Sequence, residues 1–111
     1  MSETATVELE REIYQRHSDV LRVLANPLRH EILHRLAEAD RTSTELVELT
    51  GASKSNVSQH LALLRAYGLV SARRAGRSVT FSLTYPQLAQ ACALIDEILL
   101  DQARNGIRLH T

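Results

Sequence analysis

The sequence predicts a mainly α-helical fold, five helices with a two-stranded β-ribbon ahead of the last. Three observations carry that expectation. Ala and Leu dominate a chain that is 44% hydrophobic and only 4% aromatic. Apolar residues recur at spacings of three and four over most of its length. In one stretch the period changes to two, where Val79, Phe81 and Leu83 alternate with Ser78, Thr80 and Ser82, the signature of a half-buried strand. At 111 residues the chain is expected to be one small domain whose monomer buries a modest share of its surface.

The first helix is expected over residues 6–25, with Leu9, Ile13, Val20, Leu21 and Leu24 near helical spacing. Asn26 can cap the next helix and Pro27 suits its first position, so a second helix is expected over 27–39, burying Leu28, Ile32, Leu33 and Leu36. Thr42 and Glu45 have capping-box spacing, which starts a third helix that stops before Gly51. Ser53 caps a fourth helix to about residue 67, with Val57, Leu61 and Leu64 on one face and Gly68 as its stop. Only Gly51, Ala52 and Ser53 separate the third and fourth helices, the short turn of a helix-turn-helix. Residues 70–74 and 78–83 form the ribbon, with Ala75, Gly76 and Arg77 at its tip. Thr84 and Gln87 again have capping-box spacing around Pro86, starting a fifth helix over 85–103 with Leu88, Ala91, Cys92, Ile95, Ile98 and Leu99 along one side. This order of elements is a winged helix-turn-helix. Residues 1–25 and 85–103 frame a 26–84 core, and 104–111 are expected to form a mobile tail. The long apolar stripe on the fifth helix exceeds what such a core can cover, so the first and fifth helices are expected to pack against a second copy in a homodimer.

Charge points to the partner. The formal net charge is zero, yet no acid occurs from Leu49 to Ile95, while Lys54, Arg65, Arg73, Arg74 and Arg77 all fall there. Ten of the thirteen acids lie in residues 1–48. Excluding acids from the segment that holds the fourth helix and the ribbon suits a surface that meets phosphates, and double-stranded DNA is the expected partner. With Val57, Leu61 and Leu64 turned to the core, Lys54, Ser55, Asn56, Ser58 and Gln59 face outward near the helix N-terminus, the end that enters a major groove. Asn56 and Gln59 can each pair bidentately with an adenine edge, and Ser53, Ser55 and Ser58 suit phosphate or base contacts. Arg73, Arg74 and Arg77 are expected to grip backbone or minor groove from the wing, with Arg65 adding charge. His60, beside Leu61, is expected to hydrogen-bond locally.

The runs Leu24-Ala25-Asn26-Pro27-Leu28-Arg29-His30-Glu31-Ile32-Leu33 and Ser53-Lys54-Ser55-Asn56-Val57-Ser58-Gln59-His60-Leu61, followed by Leu63-Leu64-Arg65, Gly68-Leu69-Val70 and the Arg73–Arg77 wing, resemble the ArsR/SmtB family of bacterial transcriptional regulators. The resemblance covers about residues 20–84. It implies a homodimeric repressor on an inverted-repeat operator that is released by an inducer, often a metal ion. Members that sense soft metals carry paired cysteines at the start of the third helix, where this chain has Thr42 and Thr44. At positions matching a second family site stand Tyr85, Gln87, Ile98 and Asp101, of which only Asp101 could coordinate.

Other ligand-type residues support weaker readings. His30 and His34, four apart, could hold a metal with Glu31 or Glu38, though two solvent-facing histidines explain the same letters. His17 and His110 could join Asp96, Glu97 or Asp101 at the dimer interface, a set suited to nickel, cobalt or zinc. Cys92, the only cysteine, permits no intrachain disulfide and reads as structural or as meeting its symmetry mate. A non-metal signal, or a winged-helix module acting through a partner protein, fits the same pattern. No nucleophile elbow, phosphate loop or paired-carboxylate motif occurs, so no enzyme activity is expected. Residues 1–17 lack the apolar segment of a signal peptide, and no stretch approaches a membrane span, which predicts a cytoplasmic protein without membrane contact.

Overall fold

The computed structural model describes residues 2–106. Helix α1 spans Glu3–Leu24 and begins earlier than expected because the Ser2 hydroxyl accepts from the Ala5 N–H at 3.2 Å, supplying a cap. Its Leu9, Ile13 and Leu21 stay 46%, 62% and 49% exposed, and among its residues only Val23 is buried. Of the stripe read from the sequence, Leu24 packs against the core and Val20 is half-buried, while Leu9, Ile13 and Leu21 are not covered by their own chain.

Helix α2, Pro27–Glu38, follows an Asn26 cap whose side chain accepts from the Arg29 N–H at 3.0 Å, with Pro27 in the first turn. A two-residue strand β1, Arg41–Thr42, comes next. Helix α3 spans Ser43–Thr50 and starts on a complete capping box: the Thr42 hydroxyl accepts from the Glu45 N–H at 3.2 Å, and the Glu45 carboxylate accepts from the Thr42 N–H at 3.0 Å. The Thr42 N–H on that carboxylate, with a smaller contribution from the Thr42 hydroxyl, holds the Glu45 carboxyl below its ordinary pKa.

Helix α4 spans Lys54–Ala66 from the Ser53 cap. It closes in a Schellman motif, with the Leu69 N–H on the Leu64 carbonyl at 3.0 Å and the Gly68 N–H on that of Arg65 at 2.9 Å. Strands β2, Val70–Ala75, and β3, Ser78–Leu83, pair antiparallel from Val70↔Leu83 to Ala75↔Ser78. The wing is therefore two-stranded as expected, but β1 adds a third strand on the other edge of β3, through Arg41↔Phe81 and Thr42↔Thr80, giving the order β1-β3-β2. Two residues are too short to show a period of two, so the sequence carries no signal for β1.

Helix α5 spans Pro86–Arg104. The expected Thr84–Gln87 capping box does not form: Tyr85 is the cap residue and makes no side-chain capping bond. Thr84 belongs to the end of the hairpin, its N–H held by the Leu69 carbonyl at 3.0 Å, and Pro86 favours an extended residue before it, which Tyr85 supplies at φ −122° and ψ 102°. The helix runs one residue past its expected end at 103. The rest of the 104–111 tail lies outside the described residues after Gly106.

Ile32, Leu33 and Leu36 of α2, Leu46 of α3, Val57, Leu61 and Leu64 of α4, and Leu69 and Val70 leading into the sheet form one core with Val23. Helix α5 has no buried residue, and Leu94, Ile95, Ile98, Leu99 and Leu100 are 42–61% exposed. The outlying helices also set the dimensions. The radius of gyration is 16.9 Å, against about 13 Å for a compact chain of this length. The accessible surface is 8210 Å², against roughly 6,100 Å² for a compact monomer of this mass.

Candidate DNA-binding surface

The core fixes which way α4 faces. Val57, Leu61 and Leu64 are 0%, 2% and 0% exposed, so Lys54, Ser55, Asn56, Ser58 and Gln59 are all turned to solvent. The turn before α4 is held by backbone and by one hydroxyl. Thr50 Oγ1 donates to the Leu46 carbonyl at 2.7 Å and accepts from the Ala52 N–H at 3.2 Å, while the Gly51 N–H bonds the Val47 carbonyl at 2.9 Å. Gly51 sits at φ +73°, a left-handed conformation that lets the chain leave α3 and enter α4 within three residues.

Of the expected contact residues, Ser53 is partly committed: its Oγ accepts from the Asn56 N–H at 3.1 Å, leaving its O–H free to donate. Lys54 and Arg65 stand at opposite ends of α4, about 17 Å apart along the axis at the usual helical rise. A groove-facing N-terminus would leave Arg65 only flanking phosphates.

The ribbon separates its arginines. Val70, Ala72 and Arg74 face the same side as their partners Leu83, Phe81 and Val79, whereas Arg73 lies opposite Thr80 on the other face. Arg73 and Arg74 thus issue from opposite sides of one ribbon, both exposed. The turn between the strands is Gly76-Arg77, with φ +63° at Gly76 and no positive φ at Arg77, the pattern of a type II′ hairpin that matches the twist of the strands. Ala75, expected at the tip, instead pairs with Ser78. Arg77 meets the N-terminus of α3, where it lines a shallow polar cleft with Thr42, Ser43, Thr44, Ser78 and Val79.

All ion pairs among the described residues involve Arg16, Arg22, His34, Arg35 or Arg41 with acids of α1 and α2. Lys54, Arg65, Arg73, Arg74 and Arg77 therefore have no acidic partner among the described residues. Their charge is available to an outside anion.

One buttress behind this surface escaped the sequence reading. Arg29 of α2 donates from Nε to the Val23 carbonyl at 2.6 Å, and its Nη1 lies 3.2 Å from His60 Nδ1. His60 is thus hydrogen-bonded across helices rather than locally. Burial, with a smaller contribution from the Arg29 charge, pushes the imidazole pKa below its ordinary 6.5. No spacing pattern announces this contact, because the partners are 31 residues apart.

The metal candidates are scattered. His17, Glu97 and Asp101 are exposed on α1 and α5, and His110 lies outside the described residues. His30, His34, Asp96 and Cys92 border one cavity between α2 and α5. His34 Nε2 is 3.8 Å from Glu38 Oε2, while Glu31 pairs with Arg35. Among the described residues of one protomer, no three His, Cys, Asp or Glu side chains converge as a metal site would require. Cys92 is half-buried and, through burial and the Asp96 charge, its thiol pKa is raised, the opposite of a reactive thiolate. No helix of the described residues is long and apolar enough to cross a membrane.

A helix presented by a tight turn, with its polar face bare and a cationic ribbon beside it, defines a winged helix-turn-helix DNA-binding protein. Residues 26–72 match the profile described as bacterial regulatory protein, arsR family, and the chain belongs to the ArsR family of transcriptional regulators. The HTH-type transcriptional regulator Rv0081 of Mycobacterium tuberculosis is 36% identical over 88 residues, 78% of this chain and 77% of that protein. The crystal structure of Rv0081 superposes with a TM-score of 0.77 at 33% identity, over 86% of this chain and 97% of that one. A probable mercury resistance operon repressor of Streptomyces lividans is 39% identical over 82 residues, 74% of this chain and 66% of that protein. The solution structure of the homodimeric winged helix-turn-helix DNA-binding domain of Mb0332 from Mycobacterium bovis gives a TM-score of 0.70 at 26% identity, over 100% of this chain and 97% of that one.

Proposed function

We propose that this regulator acts as a homodimeric repressor on an inverted-repeat operator, with α4 reading bases and the wing gripping the backbone. The observation that carries the reading is the bare surface: Lys54, Ser55, Asn56, Ser58 and Gln59 exposed on a helix whose other face is locked in the core. Asn56 and Gln59 offer the donor and acceptor pair that matches adenine N7 and N6. Arg73 and Arg74, on opposite faces of the ribbon, suit phosphates on the two sides of a groove, and Arg77 extends the grip from the tip. Two protomers related by a two-fold axis would place two α4 helices about one DNA turn apart. The homodimeric relative Mb0332 and the uncovered apolar faces of α1 and α5 support that assembly. One relative is named for mercury resistance, but the threonines at 42 and 44 offer no thiolates, so a soft-metal site of that kind finds no ligands at the start of α3.

The test is binding of the purified full chain to its own promoter region, followed by substitution. Asn56→Ala or Gln59→Ala is expected to weaken operator binding by about 1–3 kcal/mol and random-sequence binding little. Arg74→Ala or Arg77→Ala is expected to weaken both and to flatten the salt dependence. Equal loss on operator and random DNA for the α4 variants would overturn the assignment of readout to that helix.

A further inference from the structure

The DNA surface does not use the cavity between α2 and α5, a space of about 260 Å³. Its wall is apolar: Leu33, Leu83 and Leu88 with Ala37, Ala89 and Ala93. Ala37 and Ala93 are exposed at its rim and Ala89 is half-buried, so the space is an open groove that small side chains leave between α2 and α5. An apolar cavity of 150 Å³ holds a benzene-sized molecule and drug-sized pockets begin near 300 Å³, so this one suits a single ring or a short chain.

The polar groups at its border choose the charge of the occupant. They are the imidazoles of His30 and His34, the carboxylates of Glu38 and Asp96, and the Cys92 thiol, with no Lys or Arg among the lining residues. The raised thiol pKa keeps Cys92 neutral and wall-like. Glu38 is taken up by Arg35, Arg41 and His34. Asp96 forms no ion pair or hydrogen bond among the described residues, so among them it is the one carboxylate without a partner at the mouth of this largely apolar groove.

We propose that this cavity is a binding site for a small organic amine, its apolar body between α2 and α5 and its ammonium group on Asp96. Imidazole nitrogens of His30 or His34 can accept a further N–H, and an anionic ligand would meet the Asp96 carboxylate with no Lys or Arg in the lining to offset it. The position suits an inducer. On one side α2 carries Arg29, which holds His60 on α4, and on the other α5 carries the exposed apolar face. A ligand that changes the α2–α5 spacing changes the buttress of the reading helix together with the dimer face. That regulatory role rests on the DNA-binding reading, whereas occupancy of the cavity does not.

Three probes of matched shape separate charge from shape: benzylamine, benzyl alcohol and benzoate. They are titrated into the full chain while the Leu33 and Leu88 methyl resonances are followed by NMR. Benzylamine is expected to give saturable shifts at millimolar concentrations or below, with affinity roughly tenfold or more above that of benzoate. Asp96→Asn, a change at an exposed position, is expected to bring benzylamine down to the affinity of benzyl alcohol. Ala93→Leu is expected to abolish binding of all three. Absence of saturable shifts, equal binding of benzoate and benzylamine, or unchanged benzylamine affinity in Asp96→Asn would each overturn the site. Because Asp96→Asn leaves the wall intact, the test stands even if Ala93→Leu does not fold. Bound benzylamine is then expected to change operator affinity by roughly 5–150-fold. Binding in the cavity with operator affinity unchanged would overturn the inducer role alone, and failure of the protein to bind DNA at all would instead sink the repressor reading.

Discussion

His60 follows Gln59 on α4 but turns inward, where its Nδ1 meets the Arg29 guanidinium at 3.2 Å. Arg29 can only donate, so Nδ1 is the acceptor and the ring is the neutral Nε2–H tautomer. Protonation would remove that acceptor and set a second cation beside Arg29. This agrees with the lowered imidazole pKa, whose larger cause is burial. The sign of the pH effect follows. Above 6.5, the ordinary value, neither folded nor unfolded chain carries the charge, and this contribution to stability is complete. As pH falls below that value the unfolded chain takes up the proton first, so stability declines until the folded-state pKa is passed. Denaturant unfolding of the wild type against His60→Gln, which keeps an acceptor but does not titrate, is expected to show a shallower acid-side decline in the variant. Parallel pH profiles would show that the Arg29–His60 contact does not contribute to acid sensitivity.

At the scale of elements, the helix-turn-helix depends on a turn of three residues, and Gly51 is the point where it takes a left-handed backbone. An added Cβ there would find nothing within 4 Å, yet the backbone φ is +73°. The cost of Gly51→Ala is therefore conformational and is expected to be about 1–2 kcal/mol, read as a lower denaturation midpoint with unchanged slope. A loss several times larger would mean that the turn cannot absorb the change and that α4 has shifted. The same turn shows why much of this fold was legible. Thr42, Glu45 and Ser53 announce themselves through side-chain bonds spanning only three residues, and Val57, Leu61 and Leu64 through helical spacing, so α3, α4 and the outward face of α4 follow from local chemistry. Thr84 and Gln87 have the same spacing as Thr42 and Glu45 but no box, because a bond to Leu69, fifteen residues away, holds Thr84 at the end of the hairpin. Strand β1 exists only through its pairing with Phe81 and Thr80, and the Arg29 buttress only through the packing of α2 on α4. Each of these was hidden because its cause is tertiary. The α2–α5 cavity was hidden for the same reason: His30, His34, Cys92 and Asp96 could be read as ligand-type residues, but only the fold shows that they border a space rather than converge on a point.

The whole molecule is extended for its length, with about 2,000 Å² more surface than a compact monomer would expose. That excess is of the order that obligate homodimers bury, and it coincides with the apolar faces of α1 and α5. Ile98, 58% exposed, lies on the α5 face and outside both the core and the cavity lining. Ile98→Glu should therefore leave the protomer fold intact, since an exposed carboxylate stays solvated, but would bury an unpaired charge in a dimer, at a cost of several kcal/mol. Sedimentation is expected to show a dimer for the wild type and a monomer for the variant, with matching far-ultraviolet circular dichroism. The charge distribution carries the consequence to DNA. Each protomer offers Lys54, Arg65, Arg73, Arg74 and Arg77 without acidic partners among the described residues, and a dimer doubles that set. Six to ten phosphate contacts would make affinity fall roughly 10³–10⁵-fold between 50 and 200 mM salt. The monomeric variant can make about half of those contacts, so its slope of log affinity against log salt is expected to be near half the wild-type value, with its operator preference much reduced. A variant that becomes monomeric yet keeps the full slope would show that one protomer makes all the phosphate contacts, and a variant that remains dimeric would place the interface away from this face of α5.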